Sequence, residues 1–373
     1  MKGVIKFFKK EAVLCISGIL AVISCFIVPP SAAYAEYVDL RVLILLFCLM
    51  LVVAGIRQTG AFTVICEALL KRFRSIKTVG LVLVLLSFFM SMLLTNDVTL
   101  VTIVPFTLLM FEKISGEKKD RAEIVLLVLE TAAANLGSML TPMGNPQNLY
   151  LYSKYDLSIG EFFGIVLPYS ALSLIMLICS VFLFLPKLQT EKPSGVTKIQ
   201  GRLGPVLFVA LFAVNMLTIL RILDDKILLL IVAAAVLIVD RKLFLQADYS
   251  LLLTFVFFFV FVGNLGSIPA LSENLQRILR GNEVVTSVLL SQVISNVPAA
   301  ILLSGLSDNV SALIIGTNLG GLGTLIASMA SLITYKFYAG AKESSPKKYI
   351  YVFTIFNVCY LTALGLMYVV RFK

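Results

Sequence analysis

The sequence predicts an all-α polytopic membrane protein made of two inverted-topology repeats, each holding a re-entrant helical hairpin and a broken transmembrane helix. Three observations predict it. The 373 residues are 59% hydrophobic and 14% charged, where ordinary soluble domains carry about a quarter charged residues. Short polar or Gly/Pro-rich breaks interrupt long apolar runs. Those breaks recur, in the same order, in the second half of the chain.

Stretches such as 12–28, 159–185, 203–220 and 247–263 are apolar and long; a ~30 Å hydrocarbon core takes about 20 helical residues. Nothing alternates with period two, as a transmembrane barrel requires. The N-terminal "MKGVIKFFKK", an apolar run and "PPSAAYAE" share the layout of a secretory signal. The repeat, however, needs 12–28 as its first span. Segment 39–56 returns, and 57–77 is expected to lie on the inner surface. Segment 79–112 is too long for one span and carries Thr95-Asn96-Asp97 at its middle. It therefore reads as a hairpin with that triplet at its tip, since broken backbone at membrane depth must be covered by protein or a wet cavity. A broken helix, about 121–151, and a long span, 159–185, complete the first repeat (1–186). A linker and connecting helix occupy 187–222.

The second repeat (223–373) follows the same plan. "VVAGIRQTGAFTVICEALLKRF" (52–73) resembles "VFVGNLGSIPALSENLQRILRG" (260–281), each a span leading into an amphipathic segment. "LLTNDVTLVTIVPF" pairs with "QVISNVPAAILLSGL", giving a second hairpin, about 283–306, with Ser295-Asn296-Val297 at its tip. "ANLGSMLTPMGNPQN" pairs with "TNLGGLGTLIASMAS", giving a second broken helix, about 309–333. Counting crossings makes the second half the inverted image of the first. Inverted repeats with discontinuous helices near the midplane are a transporter signature.

The net charge of +10 is topological. Most Lys and Arg fall in loops that the crossing count places on one side, taken as the cytoplasm by the positive-inside rule, with the N-terminus also inside. An integral protein of the cell (inner) membrane is expected, with the lipid bilayer and not nucleic acid as its surroundings. Arg57 and Arg221, at span ends, read as interfacial. There is no His, and the six Cys fall in or beside apolar runs without a CxxC pair, so they read as buried hydrophobes and not as metal ligands. No P-loop is present, and no nucleophile constellation points to an enzyme.

The breaks define the candidate site. A half-helix N-terminus offers unpaired N–H groups and a positive dipole end, which favour an anion. Unwound carbonyls and hydroxyls suit Na⁺, and an Asn side chain can serve either. Thr141, Asn145, Asn148 and Thr324, the side chains expected nearest the substrate, lie in the two breaks, whose Gly137, Gly144, Gly320, Gly321 and Gly323 would either admit a ligand to the backbone or let helices pack closely. Asp97 and Glu130 are ionisable residues at expected membrane depth, where such groups are costly and functional by default. Asp97 could instead be a helix N-cap, and Glu130 could satisfy a polar partner. Asn135 and Asn318, matched in Asn-Leu-Gly, join these as ion-coupling candidates.

The paired Asn tips and the "TPMGNPQNLYL" break resemble the ion-transporter superfamily, which includes divalent anion–sodium symporters and citrate and arsenite permeases, over about residues 12–370. The resemblance implies a scaffold of outer helices, a transport unit holding both hairpins, elevator-like alternating access, and often a homodimer. In the sodium–dicarboxylate branch each tip carries Ser-Asn-Thr, which holds Na⁺ and substrate carboxylate. Asn96 and Asn296 match as substrate ligands, and with Thr95 and Ser295 they are candidate Na⁺ ligands. Asp97 and Val297 depart from that pattern and bring the first tip closer to the arsenite and citrate relatives. The expectation is a secondary transporter for a small anion such as a dicarboxylate, citrate or an inorganic oxyanion. It would be coupled to Na⁺ or H⁺ and need no cofactor. The alternative is a Na⁺/H⁺ antiporter with Asp97 as the exchanging carboxylate.

Overall fold

The structure, a computed structural model, describes residues 11–32, 34–60, 64, 75–112, 114, 118–188, 203–341 and 343–372. Most of the expected inner-surface segment and most of the linker between halves lie outside the described residues. Among those described, seventeen α-helices and two short 3-10 helices follow in order. The first half contains α1 (Ala12–Ile27), α2 (Tyr34–Tyr37), α3 (Leu40–Gln58), α4 (Ile76–Leu94), α5 (Asn96–Glu112), α6 (Lys119–Ser138), α7 (Pro146–Lys154) and α8 (Ile159–Phe184). Then come α9 (Leu203–Ile219), α10 (Asp225–Asp240), α11 (Tyr249–Gly266), α12 (Pro269–Leu279), α13 (Glu283–Ile294), α14 (Asn296–Ser304), α15 (Val310–Gly320), α16 (Met329–Ala339) and α17 (Pro346–Phe372). Five of these, α3, α4, α8, α11 and α17, are long and apolar enough to cross a membrane.

Local chemistry starts several helices. Asp39 Oδ1 accepts from Val42 N at 3.0 Å, and Asp248 Oδ1 from Leu251 N at 2.9 Å, the N-cap geometry that satisfies an orphan donor. Ser158 and Glu161 form a capping box at α8. A hydrogen-bonded pair at 2.8 Å, Lys119 with Glu343, ties the start of α6 to the loop before α17 and lowers the Glu343 carboxyl.

Two pairs of consecutive helices, α4 with α5 and α13 with α14, pack as arms joined at one residue, at the places where the hairpins are expected. Thr95 (φ 72°, ψ 153°) separates α4 from α5; Ser295 (φ 72°, ψ 158°) separates α13 from α14. The second hairpin's arms of 12 and 9 residues measure about 18 and 14 Å, each well short of the hydrocarbon core. The first hairpin's arms are longer, at 19 and 17 residues. α6 and α15 each stop at a break, crossed by Pro142–Gly144 in the first half, and resume as α7 and α16.

The packing repeats as well. α4 packs along α6 and α13 along α15. The seams use small residues: Ser87, Ser91 and Gly137 in the first half, Ser287, Ser291, Gly316 and Gly320 in the second. A Cβ on Gly137 would sit 2.1 Å from Phe88 O, and one on Gly320 2.4 Å from Ser291 Oγ. These glycines serve close helix approach. Each hairpin's second arm then crosses to the other half: α5 packs on α16, and α14 on α7. Outside this intertwined core, α3 packs on α9 and α10, and α1 along α11.

Candidate functional site

The Asn-Leu-Gly register of the two halves carries Thr141 onto Thr324, Asn145 onto Ser328 and Asn148 onto Ser331. The hydrogen bonds obey that register. Thr141 Oγ1 donates to Met92 O, and Thr324 Oγ1 to Gln292 O at 3.3 Å, so each hydroxyl pins its break to the first arm of its own hairpin. Asn318 Nδ2 donates to Asn148 Oδ1 at 2.7 Å, and Asn135 Nδ2 to Ser331 Oγ at 3.4 Å. Each half's Asn therefore reaches the resumed helix of the other half.

The tips join this network. Asn96 Nδ2 donates to Asn135 Oδ1, and Ser328 Oγ donates to the same oxygen, both at 2.9 Å. One residue earlier, Ala327 O accepts from Asn296 N at 3.1 Å and from Ser295 Oγ at 3.3 Å. The second tip thus closes on Ala327, and the first shares the Asn135 oxygen with the neighbouring Ser328. Asn96, Asn135, Asn148, Asn296 and Asn318 are all buried. Leaving such groups unpaired costs about 1–3 kcal/mol each, so the network fixes how the halves register.

The two tips differ in what lies beside them. At the second, the tip is closed against Ala327, and the Gln292 side chain latches the break. Its Nε2 donates to Gly320 O and Leu322 O at 3.0 Å each, and its Oε1 accepts from Thr324 N at 2.8 Å. At the first, Met92 stands in the place of Gln292, and a cavity of about 290 Å³ opens instead. Its polar wall is Thr95, Asp97, Asn145, Arg57, Gln246 and Asp248; α3 supplies much of its apolar wall. The starts of α5 and α7 both face it. Asn145, the N-cap of α7, makes no capping bond, because its side chain donates to Ser138 Oγ at 2.6 Å. Asp97 Oδ1 is buried without a hydrogen-bond partner.

Of the residues singled out from sequence, then, Thr95, Asp97 and Asn145 line the cavity. Asn96, Asn135, Asn148, Asn296, Asn318 and Ser295 form the buried network around it. Thr324 is exposed and Thr141 is not among the cavity residues. Glu130 lies outside the cavity, with Oε1 accepting from Thr107 Oγ1 at 2.6 Å. Arg57, read as interfacial, lines the cavity wall, while Arg221 pairs with Asp156 at 2.6 Å. Sequence reasoning missed Gln246, Asp248 and the Gln292 latch. The Ser87/Ser91 and Ser287/Ser291 pairs were a readable signal for the seams.

Apolar spans around a polar, half-buried cavity at broken helices define an integral membrane protein of the transporter class. The chain matches the family model described as citrate transporter over residues 5–334 and belongs to that family. It is 34% identical to a protein named as an uncharacterized transporter of Methanocaldococcus jannaschii, across 81% of this chain and 82% of that one. It is 30% identical to the inner membrane protein YbiR of Escherichia coli, across 84% of each. A shorter match, 30% identity over 43% of this chain and 33% of the other, is to the silicon efflux transporter LSI3 of Oryza sativa.

Proposed function

We propose that this transporter moves a small anion, organic or an inorganic oxyanion, coupled to Na⁺ or H⁺, and that the cavity beside the first tip is its binding site. One observation carries the reading: two helix N-termini, at Asn96 and Pro146, converge with Arg57 on a single cavity of about 290 Å³. Helix N-termini and a guanidinium both favour an anion, and the volume sits at the small end of ligand sites. Thr95 and Asp97 supply oxygens for the coupling ion. The buried Asn96 and Asn296 orient the tips, and through them the substrate. The family's description points to citrate and the rice relative's name to silicon; both belong in the test.

In this reading the hairpins are re-entrant, the halves are inverted, and the core of α4–α8 and α13–α17 moves against α1, α3 and α9–α11 as an elevator. The support is the packing: the cavity lies where α3 and the start of α11 meet the first tip and break. The deciding experiment is uptake of labelled citrate, succinate, sulfate, arsenite and silicic acid into proteoliposomes, with and without Na⁺ or H⁺ gradients. Gradient-driven accumulation of at least one is expected. Arg57→Ala should weaken its half-saturation roughly tenfold to a hundredfold, as loss of a charged hydrogen bond of about 1.5–3 kcal/mol implies. A second reading, Na⁺/H⁺ exchange, draws on Asp97 and Asp248, two carboxylates on one cavity wall. Na⁺/H⁺ exchange abolished by Asp97→Asn, with no anion moved, would replace the first reading with the second.

A further inference from the structure

A second polar cluster lies away from the cavity, where α5 and α6 of the first half meet α16 and α17 of the second. Glu130 is completely buried there, as are Thr107, Thr131, Thr334 and Tyr349. Thr107 Oγ1 donates to Glu130 Oε1 at 2.6 Å, and Thr131 Oγ1 to Thr334 Oγ1 at 2.9 Å. Two atoms are left over: Glu130 Oε2 and the Tyr349 hydroxyl are buried without a hydrogen-bond partner. None of the five residues lines the cavity.

Packing does not require an acid here. The repeat register carries Glu130 onto Leu313, equally buried, in the second half. Nor does a cation neutralise it. The elements packed on α6 carry Lys77 (α4), Asp97 and Glu112 (α5), Glu161 (α8), Lys336 (α16), and Lys347, Lys348 and Arg371 (α17), with none on α7 but Lys154 and none on α15. None of these pairs with Glu130, and the titratable group facing it is Tyr349. On its own helix Glu123 lies two turns away. A buried carboxylate with one bare oxygen and no counter-ion is heavily penalised. A proton on Oε2 removes that charge while Thr107 continues to donate to Oε1.

The geometry points to Glu130, hydrogen-bonded by Thr107, as a proton-binding site detached from the substrate cavity, at the seam between α5–α6 and α16–α17. The step balances simply: the Glu130 carboxyl releases one proton to a water molecule that reaches it during the transport cycle, and takes one back from water to complete the cycle. The inference rests on the proposed coupling of transport to an ion gradient, in the branch where that ion is H⁺.

The test is infrared difference spectroscopy between acid and alkaline pH on the full chain reconstituted in lipid, with citrate-driven acidification of pyranine-loaded proteoliposomes alongside. A protonated-carboxyl band that disappears at alkaline pH is expected in the native protein and in Asp97→Asn, and is expected to be lost in Glu130→Gln. Persistence of the whole band in Glu130→Gln overturns the proposal. So does a Glu130 band that survives every pH at which the protein stays folded, which marks a structural acid. If Glu130→Gln does not fold, Thr107→Val decides: a changed frequency and midpoint support the site, and an unchanged band overturns it. Absence of citrate-driven acidification with the pH-dependent band intact counts against citrate coupling and leaves the Glu130 assignment standing.

Discussion

At the residue scale, the most informative positions are Thr95 and Ser295. Both sit at φ 72° with ψ near 155°, a region that is essentially glycine-only and costs about 1–3 kcal/mol for other residues. Neither is glycine, so the chain carries that strain at both tips while keeping a hydroxyl. Thr95→Gly should therefore raise thermal stability: relief of the strain exceeds the roughly 0.4–1 kcal/mol by which a more flexible unfolded chain opposes it. Transport should fall at the same time, because the cavity loses its hydroxyl. A melting curve in detergent that does not rise would show that the conformation is not strained. Gly137 gives the opposite case. Its Cβ would meet Phe88 O at 2.1 Å, whereas nothing lies within 4 Å of a Cβ at Gly164. Gly137→Ala should destabilise by about 1–3 kcal/mol or more, since the obstacle is backbone, and Gly164→Ala, inside α8 with open space, should stabilise by about 0.5–1 kcal/mol in the same assay.

At the element scale, the two breaks share a register but differ in their latch. Gln292 makes three hydrogen bonds to the second break, and Met92 cannot make them in the first. Gln292→Met should leave Gly320 O, Leu322 O and Thr324 N to solvent or to nothing, at about 0.5–1.5 kcal/mol per bond. Hydrogen exchange should then speed up at amides 320–328 and stay unchanged at 139–145; equal protection in both proteins would remove the latch. What was legible in the sequence belongs largely to this scale. Polar triplets inside apolar runs announce helix breaks, and Asn-Leu-Gly aligns the halves, because burial forces such residues to recur where helices must stop. The cavity wall was not legible in the same way. Arg57 and Asp248 look like ordinary span-end charges until the end of α3 and the start of α11 are placed against Thr95. Thr324 read as a ligand because it lies in the glycine-rich second break; its hydroxyl donates to the Gln292 carbonyl.

At the scale of the whole molecule, crossed contacts decide what can move. α5 on α16, α14 on α7, and the bonds Asn318–Asn148 and Asn135–Ser331 knit the hairpins and breaks of both halves into one core. That core cannot separate along the repeat boundary without exposing buried amides. Its seam with α3 and α11 holds the cavity and needs no such bonds broken. In the elevator reading proposed above, a cavity beside one tip and the other tip closed against Ala327 correspond to access from one side at a time. The side follows from the helix ends: Ala54 and Arg57 line the cavity at the end of α3, and Gln58 bonds Asp240 at the end of α10, next to the basic Arg241 and Lys242. With that end taken as cytoplasmic by the positive-inside rule, a membrane-impermeant maleimide should label Ala54→Cys from the face that labels Lys348→Cys, and not from the face that labels Asp308→Cys. Labelling from the Asp308 face alone would reverse the assigned side. Equal labelling from both faces would mean that the core exchanges between two openings without substrate, and that the closed second tip is not a barrier.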